Sequence, residues 1–325
     1  MKKKINLNAI GIVALLLILS FIIPVACDHV RPNSKFRIAV PRNEISYRRA
    51  ADHLKLNLER GAFGIEVILT KTSQEAATLV ATGEADLCLL LNMSLPVANS
   101  LGAQAAQLRT IAPLFRRAMF FYVKADSVVD VISPALSFRN KIIGIETEDD
   151  EAMIGISDML DRAGVEKSYS FAADSPSGTY SIDHVWSSFY APRHVERVAN
   201  GWKAVSLDEN WIKFLCINNS SLVPVVIPPR PGNAAGKEIH TVYSEVLLLA
   251  SASLGNNAIY ALSRYIHENR VHLLSLDRMY ESIREEYDKS SLLFALHGGA
   301  DAYARRDNPS FVVRLLMVSR CLPCS

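Results

Sequence analysis

Two apolar runs of strand length flank a helix-length segment within Ile65–Asn92, IEVILTKTSQEAATLVATGEADLCLLLN. The first run, residues 65–69, is rich in β-branched side chains, which favour strands. Ser73 is a favourable helix N-cap, small apolar residues then recur at helical spacing, and Gly83 supplies the left-handed position at which helices often end. The second run is Leu87–Leu91. The pattern predicts a βαβ unit, and hence an α/β fold with parallel strands.

Polar side chains and one methionine follow the two strands of this unit. Thr70 and Ser73 lie between the first strand and the helix, and Met93 and Ser94 follow the second strand. Because the carboxyl ends of parallel strands meet at one edge of a sheet, we expect these four residues to lie near each other. Backbone N–H groups at a helix amino end attract anions. The sequence therefore predicts a ligand site at this edge.

The length and composition of the chain allow two folded lobes. The chain has 325 residues, and 50% of them are hydrophobic. This length exceeds what one minimal domain needs, and it is sufficient for two α/β lobes with separate cores. The high apolar fraction also argues against a disordered chain.

The amino-terminal segment, residues 1–27, has the pattern of an export signal. Three lysines precede a mostly apolar run over residues 9–26, so the remainder of the chain is expected to be exported. Val25, Ala26 and Cys27 resemble the end of a bacterial lipobox, which would make Cys27 a lipidated terminus. The run is also long enough to span a membrane uncleaved. Either alternative, a lipoprotein signal peptide or a signal anchor, tethers the protein to the periplasmic face of the inner membrane.

The net charge disfavours a nucleic-acid partner. The formal charge is +2, and removal of residues 1–26 takes away three lysines and no acidic residue, which leaves −1. No basic excess then remains to engage phosphates.

Several segments resemble the TAXI family of solute-binding proteins, the extracytoplasmic receptors of TRAP transporters. KTSQEAATLVATGEADL is similar to the family segment GS-x-EN … L-x-x-G-x-AD, LRTIAPLFRRAMFFYVKADS to LRALAPLYPE..HVVVRADS, and LHGGADAY to LHPGAERYY. The resemblance implies an α/β, two-lobed periplasmic binding protein type II-like fold with a ligand cleft between the lobes. It also implies a small organic solute, such as a carboxylate or an amino acid, and TRAP-type membrane subunits as partners.

The resemblance divides the chain into segments. It implies a linker at 28–35, lobe one at 36–124 and 241–310, lobe two at 125–240, and a short apolar tail at 311–325. We expect the hinge near Val123 and Lys124. The tail resembles the start of an extension that continues into a second membrane span in relatives, but it is too short to cross a bilayer.

The resemblance also assigns candidate ligand-binding residues in lobe one. In the loop VPRNEISYRRAA, Ser46 and Tyr47 match the end of a glycine-rich family motif whose backbone approaches the ligand. Arg42, Asn43 and Glu44 stand where the family has glycines, and three interpretations remain open. The Arg42 side chain reaches a carboxylate ligand, or the pocket has been filled, or Arg42 is an exposed loop arginine.

Lobe two contributes four further candidates by resemblance. Glu146 and Thr147 lie where the family has a Gly-Ser-Gly-Thr loop that donates N–H groups to the ligand, and a run of carboxylates follows them. These carboxylates favour a helix amino end and would repel an anionic ligand. Tyr190, in DHVWSSFY, matches an aromatic strand that faces the cleft, and Trp186 is a second candidate unless it is a core residue.

The sequence nominates no reaction, cofactor or metal. Its eight histidines lack metal-ligand spacing, and it contains no P-loop, Rossmann fingerprint or catalytic elbow. Cys88 and Cys216 lie in apolar, strand-like runs and are expected to be buried thiols. These observations favour binding over catalysis. An alternative to a transport receptor is a tethered sensory or interaction module that has lost its ligand and regulates a membrane partner.

Overall fold

The computed structural model describes the chain in eight ranges: residues 35–61, 63–145, 150–165, 168–173, 181–187, 192–229, 237–284 and 288–306. The predicted leader with Cys27, the predicted tail at 311–325, and Glu146, Thr147 and Tyr190 lie outside these ranges. Within them, no helix is both long and apolar enough to cross a lipid bilayer.

The βαβ unit predicted from the sequence is present as part of a three-stranded parallel arrangement. β1 (Lys35–Pro41) lies between β2 (Gly64–Thr70) and β3 (Leu87–Leu91), and it pairs in parallel with both. Helix α1 (Ile45–Glu59) connects β1 to β2, and α2 (Ser73–Thr82) connects β2 to β3.

The two helices cover opposite faces of these strands. The apolar side of α1 packs with Ile38 and Val40, whereas the apolar side of α2 packs with Ala39 and Cys88. Alternate residues of a strand point to opposite faces, and right-handed crossovers that move in opposite directions along a sheet require this placement. Strands buried on both faces explain the continuous apolar run of β3.

The cap of α2 differs from the sequence prediction by one residue. Thr72, not Ser73, is the N-cap, and its side chain accepts a hydrogen bond of 3.1 Å from the N–H of Glu75. The Glu75 carboxylate in turn accepts a bond of 2.6 Å from the N–H of Lys71, the residue before the cap. Gly83 ends the helix with a φ of 83°, as predicted.

Two long strands, antiparallel to each other, lie in the middle of the described sheet. β4 (Leu108–Lys124) pairs with β11 (Ile239–Ser251) through residues 108–118. The carboxyl half of β11 also pairs with β3, so it extends the first parallel arrangement. From Ala118 onward β4 pairs with strands of the second half of the fold, and Val123 and Lys124 lie within this second pairing.

The second arrangement uses the same type of unit. β8 (Ile182–Ser187) pairs antiparallel with β4, and β6 (Ile142–Ile145) lies parallel between β8 and β7 (Ser170–Ala173). β5 (Val131–Ile132) pairs with β9 (Trp202–Leu207), which also pairs with β4, and β10 (Val223–Ile227) pairs with β11. The helices here are α4 (Pro134–Ser137), α5 (Asp150–Arg162), α6 (Pro192–Ala199) and α7 (Glu209–Asn218). Cys216 therefore lies in a helix, because the apolar run around it has helical spacing and Asp208 caps its start.

The remaining helices pack on the first arrangement. They are α3 (Leu95–Leu101), α8 (Asn256–Glu268), α9 (Arg270–Leu276) and α10 (Gly298–Ala304), with short 3-10 helices at 102–107, 278–282 and 289–291. The two glycines of LHGGADAY have a packing role at α10. A Cβ on Gly299 would lie 2.2 Å from the backbone oxygen of Asn256, so only glycine allows α10 to approach α8 this closely.

Candidate functional site

The strand order defines where a ligand site is expected in the first arrangement. β1 lies between β2 and β3, and the two crossover helices, α1 and α2, pass over opposite faces of the sheet. The topological switch point therefore lies between the carboxyl ends of β1 and β3. Ligands of open α/β sheets bind at such points. The loops that follow these strands, residues 42–44 and 92–94, are therefore the first candidates.

Glu44, in the loop after β1, is a buried carboxylate at the start of α1. It is the N-cap of this helix, and its Oε1 accepts hydrogen bonds from the N–H of Ser46 at 3.3 Å and from the Ser46 hydroxyl at 2.7 Å. A negative charge is favourable at a helix amino end. The loop thus places a charged group where the resemblance implies close approach of a ligand.

Arg117, on β4, is the charge partner of Glu44. Its Nη2 lies 3.2 Å from Glu44 Oε2, and the two side chains are only 2% and 8% exposed. Its Nε donates to the backbone oxygen of Trp186 at 3.1 Å, and Nη2 donates to the same oxygen. The guanidinium carbon lies 5.3 Å from the ring centroid of Tyr47, which adds a cation–π contact.

This cluster connects the two halves of the fold. Glu44 and Tyr47 follow β1, whereas Trp186 lies near the carboxyl end of β8 in the second arrangement. Removal of one member of a buried ion pair leaves an uncompensated charge and typically destabilises a protein by about 3–5 kcal/mol. Arg117 therefore bonds to residues of both halves of the fold.

The loop after β3 contains one residue with a structural role, Asn92, followed by the candidate site residues Met93 and Ser94. The Asn92 amide donates to the backbone oxygen of Ser291 at 2.9 Å, and its oxygen accepts from the N–H of Leu293 at 2.8 Å. Asn92 thus fixes the 291–293 segment. Ser94 is buried, and its hydroxyl has no hydrogen-bond partner among the described residues.

Met93 closes the crevice against the second half. A Cβ built on Gly155 of α5 would lie 3.2 Å from Met93 Cε. A small cavity of about 30 Å³ remains beside this contact, between α3, α5 and α7. This volume accommodates about one water molecule, whereas sites for small organic ligands span roughly 300–1,000 Å³. An organic solute would fit only if α5 and α7 moved away from α3.

Thr70 and Ser73 lie one strand away from the switch point. The Thr70 hydroxyl donates to the backbone oxygen of Thr72 at 3.0 Å, within its own turn, and the Thr70 backbone oxygen accepts from the N–H of Arg42 at 2.8 Å. Ser73 is buried in the first turn of α2. Thr70 therefore contacts the loop after β1 through its backbone oxygen, while its hydroxyl is used within its own turn.

Arg42 has an exposed side chain and no place in the buried cluster. Its backbone oxygen accepts a bond of 3.0 Å from Arg48. The arginine that lies between the two halves is Arg117, which sequence reasoning missed. A charged pair inside the otherwise apolar strand, APLFRRAMFFYV, was the available signal, because an arginine in a buried strand must be paired.

The second arrangement has a corresponding switch point between β6 and β8. The loops that follow these strands are 146–149 and 188–191, which lie outside the described residues together with Glu146, Thr147 and Tyr190. Trp186 is buried and contributes its backbone oxygen to Arg117.

His184 is a buried titratable group close to this junction. It is fully buried against Phe121, with ring centroids 4.9 Å apart, and neither ring nitrogen has a hydrogen-bond partner among the described residues. Burial, with a smaller contribution from the positive charges of Arg117 and Arg197, lowers the pKa of His184 to about 3. The ring is therefore neutral at physiological pH. No cluster of three or more His, Cys, Asp or Glu side chains in the described part of the chain is placed to hold a metal ion.

No protein-family model matches the chain, and no curated protein matches it in sequence. Solved structures do match it. XAC2383 from Xanthomonas citri, bound to chloride ion, is 10% identical with a TM-score of 0.52 over 85% of this chain and 99% of that chain. A histidine kinase sensor domain with similarity to periplasmic binding proteins is 9% identical with a TM-score of 0.49, over 78% of this chain and 99% of that chain. Lactococcal OpuAC, complexed with glycine betaine, is 11% identical with a TM-score of 0.44, over 75% of this chain and 99% of that chain.

The chain has a two-lobed periplasmic binding protein type II-like fold, as the sequence predicted. Two parallel arrangements, each with a switch point, are joined by β4 and β11, and Arg117 and Met93 make contacts between them. The similarity to XAC2383 is evidence for a shared fold. At 10% identity it is evidence for the fold alone.

Proposed function

We propose that the protein is a solute-binding receptor outside the cytoplasm, tethered to the inner membrane through residues 1–27. Its lobes are residues 36–124 with 241–310, and residues 125–240. A small solute binds in the cleft between them, and the closed form is presented to membrane subunits. The resemblance to TAXI proteins supports TRAP-type subunits as this partner.

The observation that supports a closing receptor best is the connection between the lobes. β4 pairs with strands of both arrangements and β11 pairs with β3, β4 and β10, while among the described residues Met93 lies against Gly155 across the cleft. Two shared strands with a register shift between Val246 and Leu247 are suitable for hinge motion, because few backbone groups must rearrange. A solute that binds both lobes would shift the population toward the closed form.

The narrow cavity supports the need for opening. With about 30 Å³ beside Met93, an organic solute would fit at this place only after the lobes part. Affinity then depends on the balance between open and closed forms as well as on direct contacts.

A thermal-shift screen of the full-length chain tests this proposal. The panel contains carboxylates, amino acids, sugars and quaternary ammonium compounds. A true solute should stabilise the protein by about 2.7 kcal/mol at a hundredfold excess over its dissociation constant. Gly155→Leu, which obstructs closure, serves as the control: a tenfold weaker affinity should reduce this stabilisation to about half. A folded chain that no member of the panel stabilises would contradict the receptor proposal.

One observation favours a second candidate, a sensory or interaction module without a solute. The buried Glu44–Arg117 pair already fills the polar site at the switch point with the protein's own groups. Such a module would bind its membrane partner equally well with and without solutes, whereas a receptor would bind it in a solute-dependent manner. Solute-dependent uptake in vesicles that contain the TRAP-type subunits would exclude the module.

A further inference from the structure

We propose that Glu44 is a built-in carboxylate ligand of Arg117, and that it makes the cleft select solutes without a carboxylate or other anionic group. This inference rests on the proposed solute-binding function and specifies its solute class. It replaces the organic anion implied by the family resemblance with an uncharged polar or cationic solute.

The donors around Glu44 are those that a carboxylate solute would need. Arg117 Nη2 reaches Oε2 at 3.2 Å, while the N–H and the hydroxyl of Ser46 reach Oε1 at 3.3 and 2.7 Å. A guanidinium, a hydroxyl and a helix N–H form a charge-assisted set of donors for one carboxylate. In this chain the carboxylate that they hold belongs to the loop itself.

The location of the set makes it relevant to solute selection. Arg117 connects the loop after β1 to the end of β8, so it lies at the junction of the two lobes. Glu44 and Arg117 are 92% and 98% buried, which removes the competition of water for these bonds. An anionic solute at Arg117 would have to displace Glu44 and leave its charge buried and unpaired, which is unfavourable.

Chemical rescue in the full-length chain tests the assignment. Glu44→Ser keeps a good N-cap for α1 and removes the carboxylate, leaving space that matches formate. Glu44→Ala leaves space that matches acetate. Glu44→Gln fills the same space without a charge and is the matched control.

The expected result is selective anion binding by the truncated variants. Sodium formate should raise the melting temperature of Glu44→Ser with saturation, and should bind the wild type and Glu44→Gln at least about tenfold more weakly. Addition of Arg117→Gln to Glu44→Ser should abolish the effect. Equal formate binding by the wild type, or no binding by a folded Glu44→Ser, would overturn the proposal.

A refolding experiment tests the proposal if the variants do not fold. If Glu44→Ser and Glu44→Ala are not folded after purification, they are refolded from urea with formate or acetate and with sodium chloride at equal ionic strength. Recovery only with the matching carboxylate supports the proposal, and recovery in neither condition contradicts it.

The results that would refute the built-in ligand differ from those that would refute the receptor proposal. Formate binding by Glu44→Ser without any wild-type solute would refute only the receptor. A wild-type solute that carries a carboxylate and needs Arg117 would refute only the built-in ligand.

Discussion

Arg117 Nη2 lies 3.2 Å from Glu44 Oε2, although the two residues are 73 positions apart in the chain and both are buried. The contact joins strand β4 to the amino end of α1. Its energetic and functional roles lead to separate predictions.

The first prediction concerns the stability of this pair. Arg117→Met and Glu44→Leu should each lower the free energy of unfolding, the arginine change by about 3–5 kcal/mol, because a buried charge loses its partner. The double variant Glu44→Leu, Arg117→Met should recover most of the loss, since no unpaired charge remains. Urea unfolding of the single and double variants forms a double-mutant cycle. Strictly additive losses would show that the two side chains do not interact.

The second prediction concerns pH. The pKa of His184 is about 3 in the folded protein, below the ordinary value of 6.5, so the unfolded chain binds the proton more readily. Stability should therefore fall as pH decreases from about 6.5 toward 3, with His184 contributing a loss of about 2 kcal/mol between pH 7 and pH 5. Comparison of wild type and His184→Phe by urea unfolding isolates this contribution. If the free energy of unfolding fell equally with pH in the wild type and in His184→Phe, the assignment to His184 would be contradicted.

The third prediction concerns closure of the cleft. Gly155→Leu should force Met93 away from α5, because even a Cβ there lies only 3.2 Å from Met93 Cε. If the closed population falls to a tenth, the dissociation constant of the solute should rise about tenfold. Calorimetric titration measures this change, and addition of Met93→Ala should reverse it. Gly255→Ala is the matched control, since a Cβ at Gly255 meets nothing within 4 Å.

The fourth prediction concerns the packing of α10 on α8. A Cβ on Gly299 would meet backbone atoms at 2.2 and 2.7 Å, so Gly299→Ala should displace α10 and destabilise the fold by several kcal/mol, about 3 or more. At Gly298 the nearest atom is the side-chain oxygen of Asn256, at 2.7 Å, and this side chain can rotate. Thermal unfolding should therefore show a much smaller effect for Gly298→Ala. Equal effects would refute the backbone clash.

Local patterns in the sequence predicted most of the first arrangement. The helix stop at Gly83, the strand at 87–91 and the α/β class follow from short-range propensities that the folded structure does not oppose. The predicted N-cap of α2 was wrong by one residue because Thr72 and Ser73 are both good N-caps, and only the backbone geometry selects between them. The helix around Cys216 was missed because short apolar runs do not separate strands from helices.

The polar contacts at the junction were not predictable in the same way. Ser46, Tyr47, Met93 and Ser94 lie at or beside the switch point, but Glu44 and Arg117 were not selected from the sequence. Their interaction depends on β4 passing beneath the loop after β1, which is a long-range feature of the topology. No local pattern in either segment contains that information.

Calorimetric titration of the full-length wild-type chain with the compound that stabilises it most is the most direct test of the receptor account. The account predicts saturable binding of one solute per chain, by a compound without a carboxylate, with affinity weakened about tenfold by Gly155→Leu. A folded chain that gives no saturable binding with any compound of the panel, or the same affinity in Gly155→Leu, would contradict it.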